Sequence, residues 1–195
     1  MKLKIITVPD PRLRQRSIHA RGDDPEVIEA IETMRAECLA WEDEHPHELS
    51  AAMAAPQLGI NKRVIIVRDD LDDKDKKHFT ALLNPEIIKT DGKIVKDYEG
   101  CLSIPYLYAN VPRPDKVRIR AELEDGTPVR IKADGFLSRT LQHEIDHLEG
   151  ILFIDHVRND PKAFSRMNNK GDLEPIKDYE TEVKNNKDLW PDDED

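Results

Sequence analysis

The residues with the clearest chemical potential are two histidines and a glutamate in the segment His143-Glu144-Ile145-Asp146-His147. Residues four apart on an α-helix lie on the same face, so both imidazoles can reach one ion. Glu144 is one step along from His143, close enough to contact a water molecule on that ion without ligating it. The segment therefore predicts a metal-dependent hydrolase with His143 and His147 as ligands and Glu144 as its acid/base.

Two histidines require a third protein ligand, and a catalytic site keeps a further position open for water. Upstream, Cys101 lies in the glycine-containing segment EGCLS (99–103), and a thiolate is a good ligand for zinc or ferrous iron. The alternative for Cys101 is an inert buried thiol, the commoner fate of a free cysteine. Downstream, Glu149 and His156 are the candidates that a zinc protease would use, although Glu149 falls on a different face of the helix.

The helix that carries the two histidines is predicted over residues 137–149 and ends at Gly150, a plausible C-terminal cap. Its apolar stripe consists of Leu137, Leu141, Ile145 and Leu148. The histidines lie roughly opposite this stripe, where a surface helix would carry charged side chains. The pattern therefore predicts that the second face of the helix is also buried or lines a cleft.

The remaining pattern predicts an α+β fold of mostly antiparallel strands around the central metal-binding helix, with one N-terminal helix. Apolar residues recur at helical spacing after Pro25, and the helix is expected to end by Pro46. The predicted strands and core runs are 3–8, 63–68, 79–84, 85–90, a hairpin around Asp125-Gly126, and 151–154.

Length and charge limit the domain organisation and the partners. The chain has 195 residues with 40 acidic and 30 basic side chains. We predict a catalytic domain over 1–160 and a polar, acidic tail over 161–195 that is partly helical or disordered. The acidic balance argues against DNA or an anionic membrane as a partner. No apolar run reaches membrane-spanning length, so a cytoplasmic protein is expected. A monomer is a further expectation.

Three segments, in the same order, resemble the signature motifs of the peptide deformylases: AAPQ (54–57), EGCLS (99–103) and QHEIDH (142–147). These enzymes remove the N-terminal formyl group from nascent proteins, and the resemblance covers roughly residues 3–156. By this resemblance, Cys101, His143 and His147 are the metal ligands. It implies ferrous iron as the native ion, with zinc, nickel or cobalt in purified material.

The resemblance also implies the remaining catalytic roles. Glu144 matches the catalytic glutamate, which takes a proton from the attacking water and delivers it to the leaving amine. Gln57 and the backbone N–H of Leu102 match the pair that stabilises the oxyanion. Glu99 and Gln142 are candidates for orienting an imidazole. The expected substrate is a formyl-methionyl peptide, from which formate is released, and a transient association with the ribosome is a further expectation.

Three departures from the family pattern concern the substrate groove. Ser50 and Ala52 stand where glycines are expected, and a charged stretch, 42–48, precedes them. Tyr108 stands where bacterial members often carry a basic residue. Two alternatives stay open: a non-catalytic metal-binding relative, against which the intact Glu144 argues, and a zinc protease.

Overall fold

In a computed structural model, the part of the chain that is described folds as one antiparallel sheet with two α-helices. The structure describes residues 4–45, 49–70, 73, 75–168 and 171–191. The helices are α1 (Pro25–Glu44) and α2 (Gly135–Leu148). The strands are β1 (Ala52–Ala54), β2 (Val64–Arg68), β3 (Phe79–Cys101), β4 (Ile104–Glu122), β5 (Pro128–Asp134), β6 (Phe164–Met167) and β7 (Leu173–Pro175). This architecture confirms the predicted α+β class.

Strands β3 and β4 form the long hairpin on which the sheet is built. The spatial order is β1-β2-β3-β4-β6-β7, and β5 pairs with the same edge of β4 as β6 but at the other end. The β3–β4 register shifts at four points, the last of them between Gly100 and Cys101. Such irregularities bend a strand pair and redirect its side chains. The register shifts allow the β3–β4 pair, in which much of β3 is exposed, to turn toward the interior at Cys101.

Helix α1 forms as its spacing predicts and ends before Pro46. Asp24 accepts a hydrogen bond from the N–H of Glu26 and caps the N-terminus, where Pro25 occupies the first helical turn. The buried stripe of α1 includes Val27, Met34 and Cys38, which pack in one core cluster with residues of β1, β2 and β3. This cluster holds α1 beside the segment that leads into β1.

Helix α2 crosses the sheet and is buried on both faces, as predicted. Leu141, Ile145 and Leu148 pack against β2, β4 and β5 residues in one core cluster. On the opposite side, His143 and His147 are also buried, and the His143 ring stacks on Phe153 with centroids 5.9 Å apart. The helix ends before Gly150, which has φ +73° and therefore occupies the left-handed region that favours glycine.

Several predicted elements differ in detail from the structure. The predicted strand 3–8 is wrong for residues 4–8, whose backbone makes single hydrogen bonds to Gln57 and Ser103 instead of a ladder. The two runs 79–84 and 85–90 belong to one continuous strand, β3. In the run 151–154, Ile151 is exposed and residues 152–154 are buried. The run leads into a 3-10 helix, because the Asp155 side chain accepts from the N–H of Leu152. The β4–β5 turn has Glu124 and Asp125 at its centre, with Gly126 following in the left-handed region.

The segment after residue 160 is more ordered than its polar composition indicates. Strands β6 and β7 extend the sheet, and Val183, Leu189 and Trp190 are buried in a core cluster that also contains Phe153. A few large apolar side chains are therefore enough to dock a polar segment. Residues 171–191 include β7 and a short helical segment, Glu180–Lys184, and residues 192–195 lie outside the described residues. The expectation of a partly helical or disordered tail stays a prediction. The division at residue 160 stays a prediction.

Among the described residues, no helix combines the length and apolarity needed to cross a bilayer.

Trp190 should make a measurable contribution to stability, because it anchors the docked segment. Its indole N–H donates to the Val183 carbonyl at 2.7 Å, and the Arg158 guanidinium lies 4.2 Å from the ring centroid. We expect Trp190→Ala to lower the free energy of unfolding in urea by about 3 kcal/mol. The matched variant Lys184→Ala, in the same segment but exposed, should leave the urea midpoint unchanged. An unchanged midpoint for Trp190→Ala would show that the segment is not docked in solution.

Candidate active site

Three of the ligands predicted from the sequence come together in the structure. Cys101 ends β3, and His143 and His147 lie one turn apart on α2. Their donor atoms all lie within 4.8 Å of one another, and Cys101 Sγ is 3.3 Å from His147 Nε2. Ligands about 2.0–2.3 Å from a tetrahedral ion are separated by about 3.4–3.7 Å, so these spacings suit one ion. One thiolate and two imidazoles are also a chemically suitable donor set for zinc or ferrous iron.

The Glu99 carboxylate fixes the orientation of one ligand. Glu99 Oε2 lies 2.9 Å from His143 Nδ1, so Nδ1 donates to Glu99 and Nε2 is left for the metal. Burial by itself would raise the pKa of Glu99, but hydrogen bonds from His143 and Arg113 outweigh it. The pKa of Glu99 therefore lies well below its usual value, and the carboxylate is ionised at neutral pH. This contact agrees with the orienting role that the position of Glu99 in the sequence suggests.

Two buried arginines hold Glu99 in place. Arg113 on β4 donates to both carboxylate oxygens, at 2.6 and 3.0 Å, and also to Asp146 at 2.8 Å. Arg139 on α2 donates to Glu99 at 2.6 Å and to the carbonyls of β3 residue Val95 and a β4 residue. Neither arginine is predicted as a site residue from the sequence. The one local signal is that Arg139 precedes His143 by four residues and so shares its helical face.

Glu144 is buried beside the ligand cluster with one oxygen unsatisfied. Its Oε2 atom is inaccessible and has no hydrogen-bond partner among the described residues. Burial raises the pKa of Glu144 to about 7. A buried carboxyl without a partner is costly in a folded protein, and a pKa near neutrality suits a group that takes and returns a proton.

The amide of Gln57 presents a donor to the site. Its Oε1 atom accepts from the backbone N–H of Ala54 at 2.9 Å, which identifies the other amide atom as the nitrogen. That Nε2 atom lies 3.4 Å from Cys101 Sγ and 3.4 Å from Ser103 Oγ. The short 3-10 helix Ala55–Leu58 is what turns the buried Gln57 toward the cluster.

A pocket of about 400 Å³ opens onto this constellation. Gln57, Leu102, Cys101, His143 and Glu144 all line it. A volume of this size admits an amino-acid side chain together with part of a peptide backbone. Two of the three donors, Cys101 and His143, therefore line the same pocket as the buried Glu144 carboxyl and the Gln57 amide, and the donor atom of His147 lies within 4.8 Å of the other two donor atoms.

Comparison with known proteins identifies the family. The family model described as polypeptide deformylase matches residues 2–163. A peptide deformylase from Thermomicrobium roseum is 42% identical over 158 residues, covering 80% of this chain and 85% of the relative. The chain belongs to the peptide deformylase family.

Solved structures agree with this assignment. A peptide deformylase from Synechococcus elongatus, in complex with actinonin, is 39% identical, with a TM-score of 0.69 over 81% of this chain and 80% of that one. A class I type b peptide deformylase from Acinetobacter baumannii, bound to Met-Ala-Ser, is 27% identical, with a TM-score of 0.69 over 80% and 98% of the two chains. The chain is therefore a hydrolase of this metal-dependent family, with the deformylating activity that defines it.

The residues that a zinc protease would use do not join the deformylase site. Glu149 pairs with Arg63 and Arg16 on the far side of α2. His156 Nε2 contacts Asp146 at 2.7 Å and lies outside the ligand cluster. The protease alternative is therefore wrong, and these two residues have structural partners instead. Gln142 donates to backbone carbonyls, including that of Pro114, so it orients no imidazole.

The departures from the family pattern lie at the deformylase pocket. Ser50, Ala52 and Tyr108 all line it. The backbone N–H of Ser50 donates to Glu42 Oε1 at 3.0 Å, and the same oxygen accepts from the buried Arg68 at 2.8 Å. Part of the charged stretch 42–48 therefore supports the pocket wall. Residues 46–48 of that stretch lie outside the described residues.

Replacing Glu99 tests whether it organises the metal centre. Glu99→Gln leaves two buried guanidiniums without a full counter-charge, and we expect it to lower unfolding free energy by about 3 kcal/mol. Metal affinity should fall by about 10- to 100-fold, because the His143 ring loses its orienting acceptor. Chelator competition and urea unfolding measure the two effects.

The effect of Glu99→Gln on the free energy of unfolding should depend on pH, because the pKa of Glu99 is lowered in the folded protein. The Glu99 carboxylate contributes fully to stability when the pH is above 4.5, its pKa in the unfolded chain. This contribution is lost as the pH falls toward the lower pKa that Glu99 has in the folded protein. The stability difference between wild type and Glu99→Gln should therefore shrink only below about pH 4.5. Glu86→Gln, which removes an exposed partner of Arg120, is the matched control. Wild-type metal affinity in Glu99→Gln would contradict the orienting role.

Proposed function

We propose that this chain removes the formyl group from formyl-methionyl peptides of nascent proteins, with one metal ion held by Cys101, His143 and His147. The observation that carries this proposal is the cluster of three ligand donors, two of which line the same pocket as Glu144, whose buried Oε2 has no partner among the described residues. A structural metal requires no buried acid/base beside it. The same observation argues against the alternative of a non-catalytic metal-binding relative.

We propose ferrous iron as the native ion, with zinc, nickel or cobalt replacing it in purified material. The thiolate of Cys101 is a soft ligand, and the two imidazoles suit all four of these ions. When bound, the ion acts as a Lewis acid and lowers the pKa of a water molecule so that it is nucleophilic near neutral pH. Metal analysis of anaerobically purified protein, with formate release measured on the same sample, tests this assignment.

Glu144 is the proton-transfer group in this proposal. Its carboxylate accepts the proton of the attacking water as the bond to the formyl carbon forms. The same carboxyl then donates that proton to the amine as the C–N bond breaks, so formate and a free amine are released. Its burial supports this role, because a pKa near 7 allows both transfers at neutral pH.

Gln57 and the backbone N–H of Leu102 stabilise the developing negative charge on the formyl oxygen. The Gln57 amide is held by the Ala54 N–H, so its orientation is set before the substrate arrives. A preorganised donor costs no reorganisation during the reaction, and removing one typically costs about two to three decades in rate. Leu102 follows the ligand Cys101 directly and lines the pocket, which supports a role for its backbone at the same oxygen.

We propose the localisation, the oligomeric state and the partners of the chain from its membership of the peptide deformylase family. The enzyme acts in the cytoplasm as a monomer, without DNA or membrane partners, and associates transiently with the ribosome to reach nascent chains. The net charge of −10 supports the absence of a DNA partner. Sedimentation of the protein with and without ribosomes tests both the oligomeric state and the association.

The variant Glu144→Gln separates catalysis from metal binding. It should retain a full equivalent of metal and lose about two to four decades in kcat/KM for formyl-Met-Ala. In wild type, only the carboxylate accepts the proton, so activity should fall with decreasing pH along a limb centred at or below about 7, since a bound cation favours the ionised form. Glu149→Gln, at the C-terminal cap of the same helix, is the control and should keep both metal and rate. Loss of metal in Glu144→Gln would contradict its assigned role.

The variant Cys101→Ser tests the third ligand. We expect metal affinity to fall sharply, and the air sensitivity of the ferrous enzyme to disappear with the thiolate. Cys38→Ala is the matched control, because burial raises the pKa of the Cys38 thiol to about 12 and it lies outside the ligand cluster. Metal bound as tightly in Cys101→Ser as in wild type would place the third ligand elsewhere.

A further inference from the structure

The C-terminal segment reaches the active-site pocket through strand β6. Residues 164–166 of β6 pair with 107–109 of β4, and the last residue of the strand, Met167, lines the pocket. The Tyr108 hydroxyl lies 3.7 Å from Met167 Sδ, within reach of a weak hydrogen bond to sulfur. A part of the chain beyond the 2–163 family match therefore forms part of the pocket wall.

The Tyr108 ring is fixed close to the metal ligands by a glycine. Gly100 and Tyr108 are partners across the β3–β4 hairpin, and a Cβ on Gly100 would lie 2.5 Å from the Tyr108 ring. The ring therefore packs directly on the Gly100 backbone, one residue before the ligand Cys101. Any side chain at position 100 would displace it.

Tyr106 extends the wall toward the mouth of the pocket. Its φ is +65°, a left-handed conformation that a bulky residue adopts only at a cost, and such residues concentrate at functional sites. The Tyr106 side chain lines the pocket yet is 61% exposed, so nothing in the described part of the fold covers most of its ring. This strained backbone presents an aromatic side chain at the pocket mouth.

This wall carries no cation available to a ligand. Among the described lining residues, Arg139 is the only arginine or lysine. Its guanidinium is already bound to Glu99 and to the carbonyls of Val95 and Val111. An acidic side chain placed against Tyr106, Tyr108 and Met167 would lose water without gaining a counter-charge.

We propose that Tyr106, Tyr108 and Met167 bind an apolar side chain of the substrate peptide, at a residue that follows the formyl-methionine. This inference rests on the proposed deformylase function and adds a specificity to it. Tyr108 pairs with Gly100, the residue before Cys101, and Tyr106 lies two residues from Tyr108 on the same strand, where each residue spans about 3.3 Å. An extended peptide whose formyl group is at the metal centre advances by the same step, so its later side chains reach this wall.

The test compares formyl-Met-Xaa-Yaa peptides with Leu, Phe, Glu or Lys at Xaa or at Yaa, using formyl-Met-Ala as the reference. At full metal occupancy, wild type should favour the apolar over the acidic peptides by about tenfold in kcat/KM at one of the two positions. Met167→Ala should reduce this ratio about threefold, mainly through KM. Met167→Leu conserves the apolar volume and should keep the preference.

A second variant keeps the inference falsifiable if Met167→Ala does not fold. Tyr108→Arg supplies the missing cation and should raise kcat/KM for the acidic peptides above that for the apolar ones. Ile88→Ala, an exposed apolar position on β3 away from the pocket, is the control and should change neither. Hydrolysis of all peptides with equal kcat/KM, unaffected by these variants, overturns this inference and leaves the proposed function standing. No formate from any peptide by the fully metallated protein overturns both.

Discussion

The buried carboxylate of Glu99 joins the three elements on which the active site depends. It lies on β3 two residues before the Cys101 ligand, accepts from Arg113 on β4, and accepts from Arg139 and His143 on α2. Because two guanidiniums and an imidazole bind this one carboxylate, neither α2 nor the β3–β4 hairpin can shift far relative to the other. Because the charges are removed from water, losing any one partner leaves an uncompensated charge inside the protein. The spacing of the metal ligands is thus maintained by an ion-pair network and not by the ligands alone.

Next to the fully hydrogen-bonded Glu99 carboxylate lie buried polar atoms that have no hydrogen-bond partner among the described residues. Glu144 has a buried oxygen without a protein partner, and Nδ1 of His147 is likewise buried without one among the described residues. Such groups destabilise a fold unless something bound to it satisfies them. In an enzyme, a polar group left without a partner in the free protein can gain one when a substrate or an ion binds, which favours binding and proton transfer. The ion pairs of Glu99 hold α2 and the β3–β4 hairpin in place, so Glu144 stays buried although one of its oxygens has no partner among the described residues.

The C-terminal segment illustrates why composition is a weak guide to docking. Its polar character favours disorder when averaged over many residues, yet Val183, Leu189 and Trp190 supply enough buried apolar surface to hold it. Strand β6 then gains backbone hydrogen bonds from an edge of β4 that would otherwise be unpaired. The same docking brings Met167 to the pocket, so a segment with no chemical motif becomes part of the pocket wall.

The sequence by itself determined the features that depend on local geometry. Helical periodicity located α1 and α2, and four-residue spacing placed His143 and His147 on one face because the helix repeat is fixed by the backbone. The order of the motifs, through their family resemblance, identified Cys101 and Gln57, which periodicity alone left open. Only the tertiary structure decided that Arg113 and Arg139 enclose Glu99, since these contacts span 14 and 40 positions along the chain. Contacts between distant residues follow from the register and bends of the β3–β4 hairpin, and no local pattern encodes where such a bend brings two side chains together.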